Sequence, residues 1–154
     1  MFKVNKLTDY ATVVLIEIAR SNVVRSSQHL SVRTGIPLPT VAKLMKSLSK
    51  AGLTQSQRGA SGGYILGRGP GDITIADVIQ AVEGPIALTA CADTSEEHCS
   101  IESVCPVQGK WNKVNTAVRA ALSEVTLADM ADDVAGFGVR PPAARAAILG
   151  VEAE

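Results

Sequence analysis

The chain has 154 residues, which suits one compact domain or a small domain with an added oligomerisation element. Only five residues are aromatic, so the core has few large side chains. A helix that buries surface against a second subunit would therefore add to the stability of the fold. The apolar run from Ala11 to Ala19 is interrupted by Glu17 and is too short to span a bilayer. With no recognisable signal peptide, the chain is expected to be cytoplasmic and to have no membrane partner.

The formal net charge of zero hides a division along the chain. Residues 1–70 carry ten Lys and Arg against two acids, a net charge of +8. Residues 71–154 carry five against thirteen, a net charge of −8. A merely solvated surface explains scattered charges but explains this partition poorly. We therefore expect the basic half to bind nucleic acid and the acidic half to confine that surface to one end.

The first half of the chain predicts three helices. Apolar residues at helical spacing predict an amphipathic helix over residues 6–20. Ser26 is placed to cap a short second helix that ends near Thr34. The turn at residues 35–37 then leads into a third helix over residues 39–51. Two short helices joined by a glycine-containing turn predict a helix-turn-helix.

A glycine-rich hairpin follows the third helix. Residues 53–57 and 64–66 predict two short strands around the tip at residues 58–63, which together form a β-wing. The tip does not match the glycine patterns of phosphate-cradling loops. The wing strengthens the helix-turn-helix interpretation, because two helices joined by a turn are common on protein surfaces and are not specific to DNA-binding proteins.

The third helix separates into two faces, and its predicted inward residues are Val41, Leu44, Met45 and Leu48.

The outward face of the third helix and the wing predict contacts to DNA. The second helix of a helix-turn-helix enters the major groove, where Lys43 can reach guanine and Thr40 a base or a phosphate. Lys46 and Lys50 are placed for phosphates, and Arg58 can reach a narrow minor groove. The full set of predicted DNA-contacting residues is Ser27, Gln28, Arg33, Pro39, Thr40, Lys43, Lys46, Ser47, Lys50, Arg58 and Ser61.

The second half predicts two further main helices. After a glycine-rich hinge over residues 67–72, Thr74 and Asp77 form a capping-box pattern for a helix that ends near Val82. An apolar stripe at three- and four-residue steps predicts a helix over residues 107–125. That stripe is either core or a dimer seam. We favour the seam, because operators read by a helix-turn-helix are usually palindromes bound by two-fold dimers.

The end of the chain predicts little ordered structure. Thr126 can cap a last short helix that ends at Met130, and the rest is rich in Ala, Pro and Gly.

The predicted fold is mainly α with a small β-wing, and it consists of a winged helix-turn-helix domain plus a long dimerisation helix. We divide the chain into a DNA-binding domain at 1–70, a cysteine loop with the dimerisation helix at 71–130, and a flexible tail at 131–154.

All three cysteines lie within fifteen residues, spaced C-x7-C-x5-C from Cys91 to Cys105, in a loop rich in acids and serines. Thiolates bind soft metals and iron-sulfur clusters. Zinc sites need pairs such as C-x2-C, which are absent, and the odd count disfavours disulfides. Structural cysteines and thiols that respond directly to oxidation remain alternatives. A small electron carrier or thiol enzyme would predict a fourth Cys or a C-x2-C pair, and would not need the basic half.

Over residues 3–130 the chain resembles the Rrf2 family of iron-sulfur-dependent transcription regulators, both in the order of its elements and in four motifs. Its start looks most like the regulators of the SUF cluster-assembly system. The matching segments are KLTDYATVVL, RTGIPLPTVAKLMKSLSKAGL, RGASGGYIL and ITIADVIQAVEG. Two departures concern the cysteine segment. The gap from Cys91 to Cys99 is longer than is common in the family, and a histidine that some members place after the last cysteine is Gln108 here.

The resemblance implies a cofactor and its ligands. The three thiolates of Cys91, Cys99 and Cys105 would hold a 2Fe-2S or 4Fe-4S cluster. For the fourth ligand we favour Asp9 of the partner subunit over Gln108 or His98, since Asp9 stands at the matching place in the first helix.

The resemblance also implies the function. The chain is expected to be a regulator without enzymatic activity, and we favour a repressor of iron-sulfur cluster assembly genes. It would bind a palindromic double-stranded DNA operator as a homodimer, with a DNA affinity controlled by the cluster. The alternative is a cluster-free regulator of the same fold that responds to thiol oxidation or to nitric oxide.

Overall fold

A computed structural model of the chain describes residues 3–21, 23–59, 61–89, 92, 104–107 and 109–131. Of the tail predicted at residues 131–154, only Ala131 belongs to this part, and residues 132–154 lie outside it. In chain order, the described elements are α1 (Lys6–Ala19), α2 (Ser27–Thr34), α3 (Leu38–Lys50), β1 (Thr54–Gln57), β2 (Gly63–Leu66), a 3-10 turn (Pro70–Asp72), α4 (Ile75–Glu83), α5 (Trp111–Glu124) and α6 (Leu127–Met130).

Helix α1 lies at the centre of the fold. Its N-cap Asn5 accepts a hydrogen bond from the backbone N–H of Leu7 at 2.9 Å, which satisfies one of the free donors of the first turn. Its apolar face is fully buried at Ala11, Val14 and Leu15. This face packs against α2, α3, α4, β2 and α6. The helix predicted over residues 6–20 is confirmed.

The helix-turn-helix is formed by α2 and α3. The Ser26 side chain caps α2 by accepting from the N–H of His29 at 3.1 Å. Gly35 ends α2 with φ at 71°, a left-handed conformation that favours glycine. Helix α3 covers residues 38–50, one residue earlier at each end than predicted. The four residues predicted to face inward on α3 are all buried, at 2% exposure or less.

Strands β1 and β2 form the antiparallel wing, in a register that pairs Thr54 with Leu66 and Gln57 with Gly63. The predicted strands are confirmed within one residue at their ends. An additional bridge joins the wing to the chain before α2. The N–H of Arg25 donates to the carbonyl of Tyr64 at 3.0 Å, and the N–H of Tyr64 donates to the carbonyl of Arg25 at 2.9 Å. The wing is therefore fixed to the start of the helix-turn-helix.

Helices α4, α5 and α6 complete the described fold. Thr74 and Asp77 form the predicted capping box of α4. Helix α5 begins at Trp111, four residues later than predicted. The reason is Gly109, whose φ of 69° belongs to a turn and not to a right-handed helix. The predicted short helix after Thr126 is confirmed as α6, which also begins with a capping box.

One hydrophobic core receives residues from both sides of position 70. Ile73, Val78 and Leu127 are fully buried in the same cluster as the apolar face of α1. The N–H of Leu127 donates to the carbonyl of Ile73 at 2.8 Å, which holds the start of α6 beside the chain that leads into α4. Within the described part of the chain, no helix combines the length and the apolar character needed to span a bilayer.

Glu17 is the charged residue that α1 buries. Its side chain is 9% exposed, Arg33 Nε lies 2.9 Å from Oε1, and Arg20 Nη1 lies 3.4 Å from Oε2. Burial raises the pKa of the Glu17 carboxyl, but the hydrogen bonds and positive charges of Arg33 and Arg20 outweigh burial and hold the pKa below its usual value. The ionised carboxylate thus joins α1 to the end of α2.

We predict that Glu17→Gln lowers the free energy of unfolding by about 1 kcal/mol at neutral pH, because both guanidinium partners are half exposed and screened by solvent. A carboxyl with a depressed folded-state pKa stabilises the protein above its unfolded value, roughly 4.3. This contribution is lost as pH falls through the lower folded-state pKa. Urea unfolding at several pH values should therefore show the two proteins converging in acid.

The matched control is Glu124→Gln, which changes an exposed carboxylate at the end of α5. It should leave the free energy of unfolding nearly unchanged at every pH. A difference between Glu17→Gln and the parent protein that stays constant from neutral to acid pH would contradict the role assigned to the Glu17 charge.

Candidate nucleic-acid interface and metal-ligating residues

The outward face of α3 carries a row of exposed residues. Pro39, Lys43, Lys46 and Lys50 follow one another at steps of four, three and four and therefore share one side of the helix. Thr40 and Ser47 flank this row and are half buried. None of the ion pairs formed by the described residues uses these lysines. The row can thus place three ammonium groups on a phosphate backbone or in a groove.

The predicted DNA contacts on α2 lie at both ends of the helix. Gln28 is exposed and Ser27 is half buried, both in the first turn of the helix. Arg33 lies at the opposite end of α2 and donates to Glu17 across the helix pair. Its side chain is still 56% exposed, so one edge of the guanidinium serves the ion pair while the rest faces solvent.

The wing tip is shaped by glycines. Gly59 has φ at 129°, and a Cβ on Gly62 would lie 2.8 Å from the carbonyl oxygen of Gln57. The N–H of Gly62 donates to the carbonyl of Gly59 at 3.0 Å, which closes the turn. Arg58 and Ser61 are exposed on this tip. The tight turn therefore leaves both predicted contacts free to meet a groove.

A cleft of about 280 Å³ separates the wing tip from the start of α2. Its polar lining includes Arg25, Ser26, His29 and Ser61. Arg25 Nε donates to Ser21 Oγ at 2.8 Å, which holds the guanidinium near the cleft. This arrangement can take a phosphate group of a DNA strand. Sequence reasoning missed Arg25 and His29, because only the bridge to Tyr64 brings that segment beside the wing.

The predicted metal ligands are only partly described. Cys105 has a free thiol and is half buried. Asp9 is exposed in the first turn of α1. Cys91, Cys99, His98 and Gln108 lie outside the described residues, and among those described no three His, Cys, Asp or Glu side chains converge. The donor types nevertheless fit an iron-sulfur cluster, which takes thiolate ligands and tolerates a different donor at one corner.

Two side chains tie the chain before the cysteines to the helices. Glu83, at the end of α4, accepts from the backbone N–H of Asn5 at 3.3 Å and from the hydroxyl of Thr8. Buried Asn115 on α5 donates to the carbonyl of Ile86 at 3.0 Å and accepts from the N–H of Leu88 at 3.2 Å. Neither residue was singled out from the sequence, although a lone Asn within the apolar stripe of α5 was a usable signal.

The apolar stripe of α5 divides into two parts. Leu122 packs against the buried cluster that contains Ala76 and Ile79 of α4, so at this position the stripe belongs to the core and the predicted dimer seam is wrong. Trp111 and Val114, in contrast, are 39% and 45% exposed. The described part of the chain leaves these two side chains uncovered.

Comparison with known proteins shows what the chain is similar to. The family described as Rrf2, iron-dependent transcriptional regulator, matches residues 4–133. The rrf2-like HTH-type transcriptional regulator of Rhodobacter capsulatus is 31% identical over 130 residues, which span 79% of this chain and 87% of the relative.

Two solved structures share the fold. CymR, the global cysteine regulator of B. subtilis, has a TM-score of 0.65 at 29% identity, with 86% of this chain and 98% of CymR covered. IscR of T. potens has a TM-score of 0.62 at 29% identity, with 91% and 93% covered. These likenesses confirm the predicted mainly α architecture with a small wing.

We predict that Gly63→Ala loosens the wing from α2. A Cβ at this position would lie 2.5 Å from the backbone carbonyl carbon and oxygen of Arg25, and these atoms cannot move aside as a flexible side chain would. The expected loss in unfolding free energy is about 1–3 kcal/mol. Hydrogen exchange should accelerate at the amides of Arg25 and Tyr64, which form the bridge.

Gly71→Ala is the matched control, since a Cβ there meets nothing within 4 Å. Its stability should be unchanged or slightly raised. Unaltered protection of the Arg25 and Tyr64 amides in Gly63→Ala would show that the bridge does not hold the wing.

Proposed function

The chain belongs to the Rrf2 family of DNA-binding transcription regulators, and on this premise we propose that its DNA affinity is controlled by an iron-sulfur cluster. We further propose that it acts in the cytoplasm as a repressor of iron-sulfur cluster assembly genes. The observation that carries the DNA-binding part is the exposed lysine row of α3 beside a wing that is bridged to the start of α2. The family description as iron-dependent supports the metal part.

Each part of the basic surface has a role in the proposed complex. Lys43 and Thr40 lie in the first two turns of α3, where a recognition helix meets base edges. Lys46 and Lys50 lie further along the same face and would bind phosphates. Arg58 on the wing tip would enter the minor groove. A two-fold dimer of this unit would read a palindromic operator.

The cluster would be held by the thiolates of Cys91, Cys99 and Cys105. The support is the donor chemistry, three soft sulfur ligands within fifteen residues of one another. When bound, the cluster would supply an iron centre whose loss or modification reports a chemical signal. Asp9 of the partner subunit is our candidate for the fourth ligand, ahead of Gln108 and His98. Its exposure in the first turn of α1 leaves the carboxylate able to reach beyond its own chain.

The residues around the cysteine segment would carry the signal to the DNA-binding face. Glu83 joins the end of α4 to the first turn of α1, directly beside Asp9. Asn115 joins the chain at residues 86–88 to α5. A change in the chain that follows Leu88 would therefore act on α1 and α5 through these two side chains. Since α1 packs against α3, the orientation of the recognition helix would respond.

A cluster-free regulator is the second candidate. The likeness to CymR, the global cysteine regulator of B. subtilis, favours it. In that case the thiols themselves would be oxidised, and the half-buried thiol of Cys105 would be one reactive group. The two candidates share the fold and the DNA-binding face, so only the presence of the cluster separates them.

We also propose that α5 seals a homodimer. The support is the exposed side of this helix, where Trp111 and Val114 are followed by exposed Ala117 and Ala121. Small side chains allow a second helix to approach closely, and an operator with two half-sites needs two recognition helices. Leu122, which packs within the chain, is assigned to the core and not to this interface.

We predict that protein purified without oxygen absorbs visible light and binds promoter DNA of cluster-assembly genes, and that Cys105→Ala loses the absorption. Asp9→Ala should alter the spectrum, whereas Asp72→Ala, which removes another exposed acid, should not. Absorption spectra and mobility shifts on the same samples provide the measurement. A colourless protein whose DNA affinity changes on thiol oxidation would establish the second candidate instead.

A mixed dimer tests the ligand from the partner. One subunit carries Asp9→Ala and the other carries Cys91→Ala and Cys105→Ala. If Asp9 acts across the interface, the subunit with intact cysteines still meets an intact Asp9 and keeps one normal cluster. Loss of that cluster, or an unchanged spectrum in the Asp9→Ala homodimer, would refute the assignment of Asp9.

The dimer interface predicts different outcomes for two substitutions on α5. Val114→Glu places a charge on the exposed side and should yield a folded monomer, because burying an unpaired carboxylate in the interface is costly. Leu122→Glu should instead lower the free energy of unfolding, since this side chain packs on α4. Sedimentation and urea unfolding distinguish the two results. A dimeric Val114→Glu protein would place the interface elsewhere.

A further inference from the structure

The recognition helix begins with an apolar surface. Leu38 is 44% exposed, and Pro39 and Ala42 are exposed as well. Leu38 and Ala42 are four residues apart and so lie one above the other, with Pro39 beside them. The opposite face of the helix is buried, with Leu44 at 2% exposure. The outward-facing apolar side chains therefore do not contribute to the core.

The backbone at this helix end adds to its apolar character. The N-cap is Pro37, which has no side-chain group to bond the free amides, and Pro39 has no N–H of its own. The N–H of Thr40 donates to the carbonyl of Pro37 at 2.9 Å. Few donors are left to hold an anion at this end, so phosphate binding is not what the first turn of α3 is built for.

The charges around the apolar surface indicate its occupant. Lys43 and Lys46 follow Pro39 on the same exposed face, and they favour a polyanion over another apolar protein surface. In a helix-turn-helix the N-terminal residues of the recognition helix meet base edges in the major groove. The apolar group that DNA presents there is the C5-methyl of thymine.

We propose that Leu38, Pro39 and Ala42 form a thymine-methyl reading surface. This inference rests on the proposed DNA-binding function and specifies its sequence preference. Each operator half-site would carry one or two thymines opposite these side chains. A guanine would lie nearby for Lys43, whose ammonium can donate to the O6 and N7 acceptors. The specificity thus comes chiefly from apolar contacts, with Lys43 as the main polar reader.

The test removes single methyl groups from the DNA. An operator is first selected from random duplexes by the wild-type protein, and each thymine is then replaced in turn by deoxyuridine, which lacks only the methyl. Burial of one methyl corresponds to about a fourfold change in affinity. We expect about that loss at one or two thymines in each half-site and no loss at flanking thymines.

Variants then identify the side chain that meets the methyl. Leu38→Ala should bind the unmodified operator less tightly and should no longer distinguish thymine from deoxyuridine at the sensitive position. Val32→Ala is the matched control, because Val32 is 79% exposed but lies on α2. It should retain the full sensitivity to methyl removal.

The outcomes separate this inference from the function on which it rests. Binding of a selected operator with no effect of deoxyuridine at any thymine overturns the methyl-reading surface and leaves the DNA-binding function intact. Failure to enrich any duplex overturns both. A Leu38→Ala protein with full methyl sensitivity but impaired binding to a protein partner would reassign the surface to protein recognition. The scan with wild-type protein needs no variant, so a folding defect in Leu38→Ala cannot mask the result.

Discussion

The burial of the apolar face of α1 is the constraint on which the rest of the structure depends. With only five aromatic residues, the chain has few large side chains, and the α1 face gathers the helix-turn-helix, the wing and α4 around one core. The basic and acidic halves are therefore separate in charge but not in packing. A change at the end of α4 acts on the same helix that supports α3, which gives the proposed regulation a short path.

The elements that local sequence determines were predictable. Caps such as Thr74 with Asp77, and the glycine that ends α2, act over a few residues and can be read from the chain. The start of α5 was misplaced because helical spacing of apolar residues continues through Gly109, whose left-handed backbone ends that pattern. The bridge between Arg25 and Tyr64 joins positions that are 39 residues apart, and no local sequence pattern predicts such a pairing.

The residues of the candidate site also divide into those that local sequence determines and those that depend on contacts with distant residues. The lysines of α3 were predictable because their spacing alone places them on one face. The partner of Arg33 was not, since Glu17 lies 16 residues away on another helix. Leu122 looked equivalent to Val114 in the stripe of α5, and only the position of α4 separates core from surface. Leu38 was not among the predicted DNA contacts, because apart from Pro39 those contacts were chosen from polar and charged side chains.

The amide of Asn115 has a further consequence for how this fold can diverge. It fixes the chain at Leu88, and α5 itself begins at Trp111, so both ends of the intervening segment are attached to the same helix. Each doubling of a flexible loop between fixed ends costs only about 0.6 kcal/mol. Insertions between these anchors are thus inexpensive. The length of the segment that holds the three cysteines can therefore change while the helix-turn-helix and the wing keep their geometry.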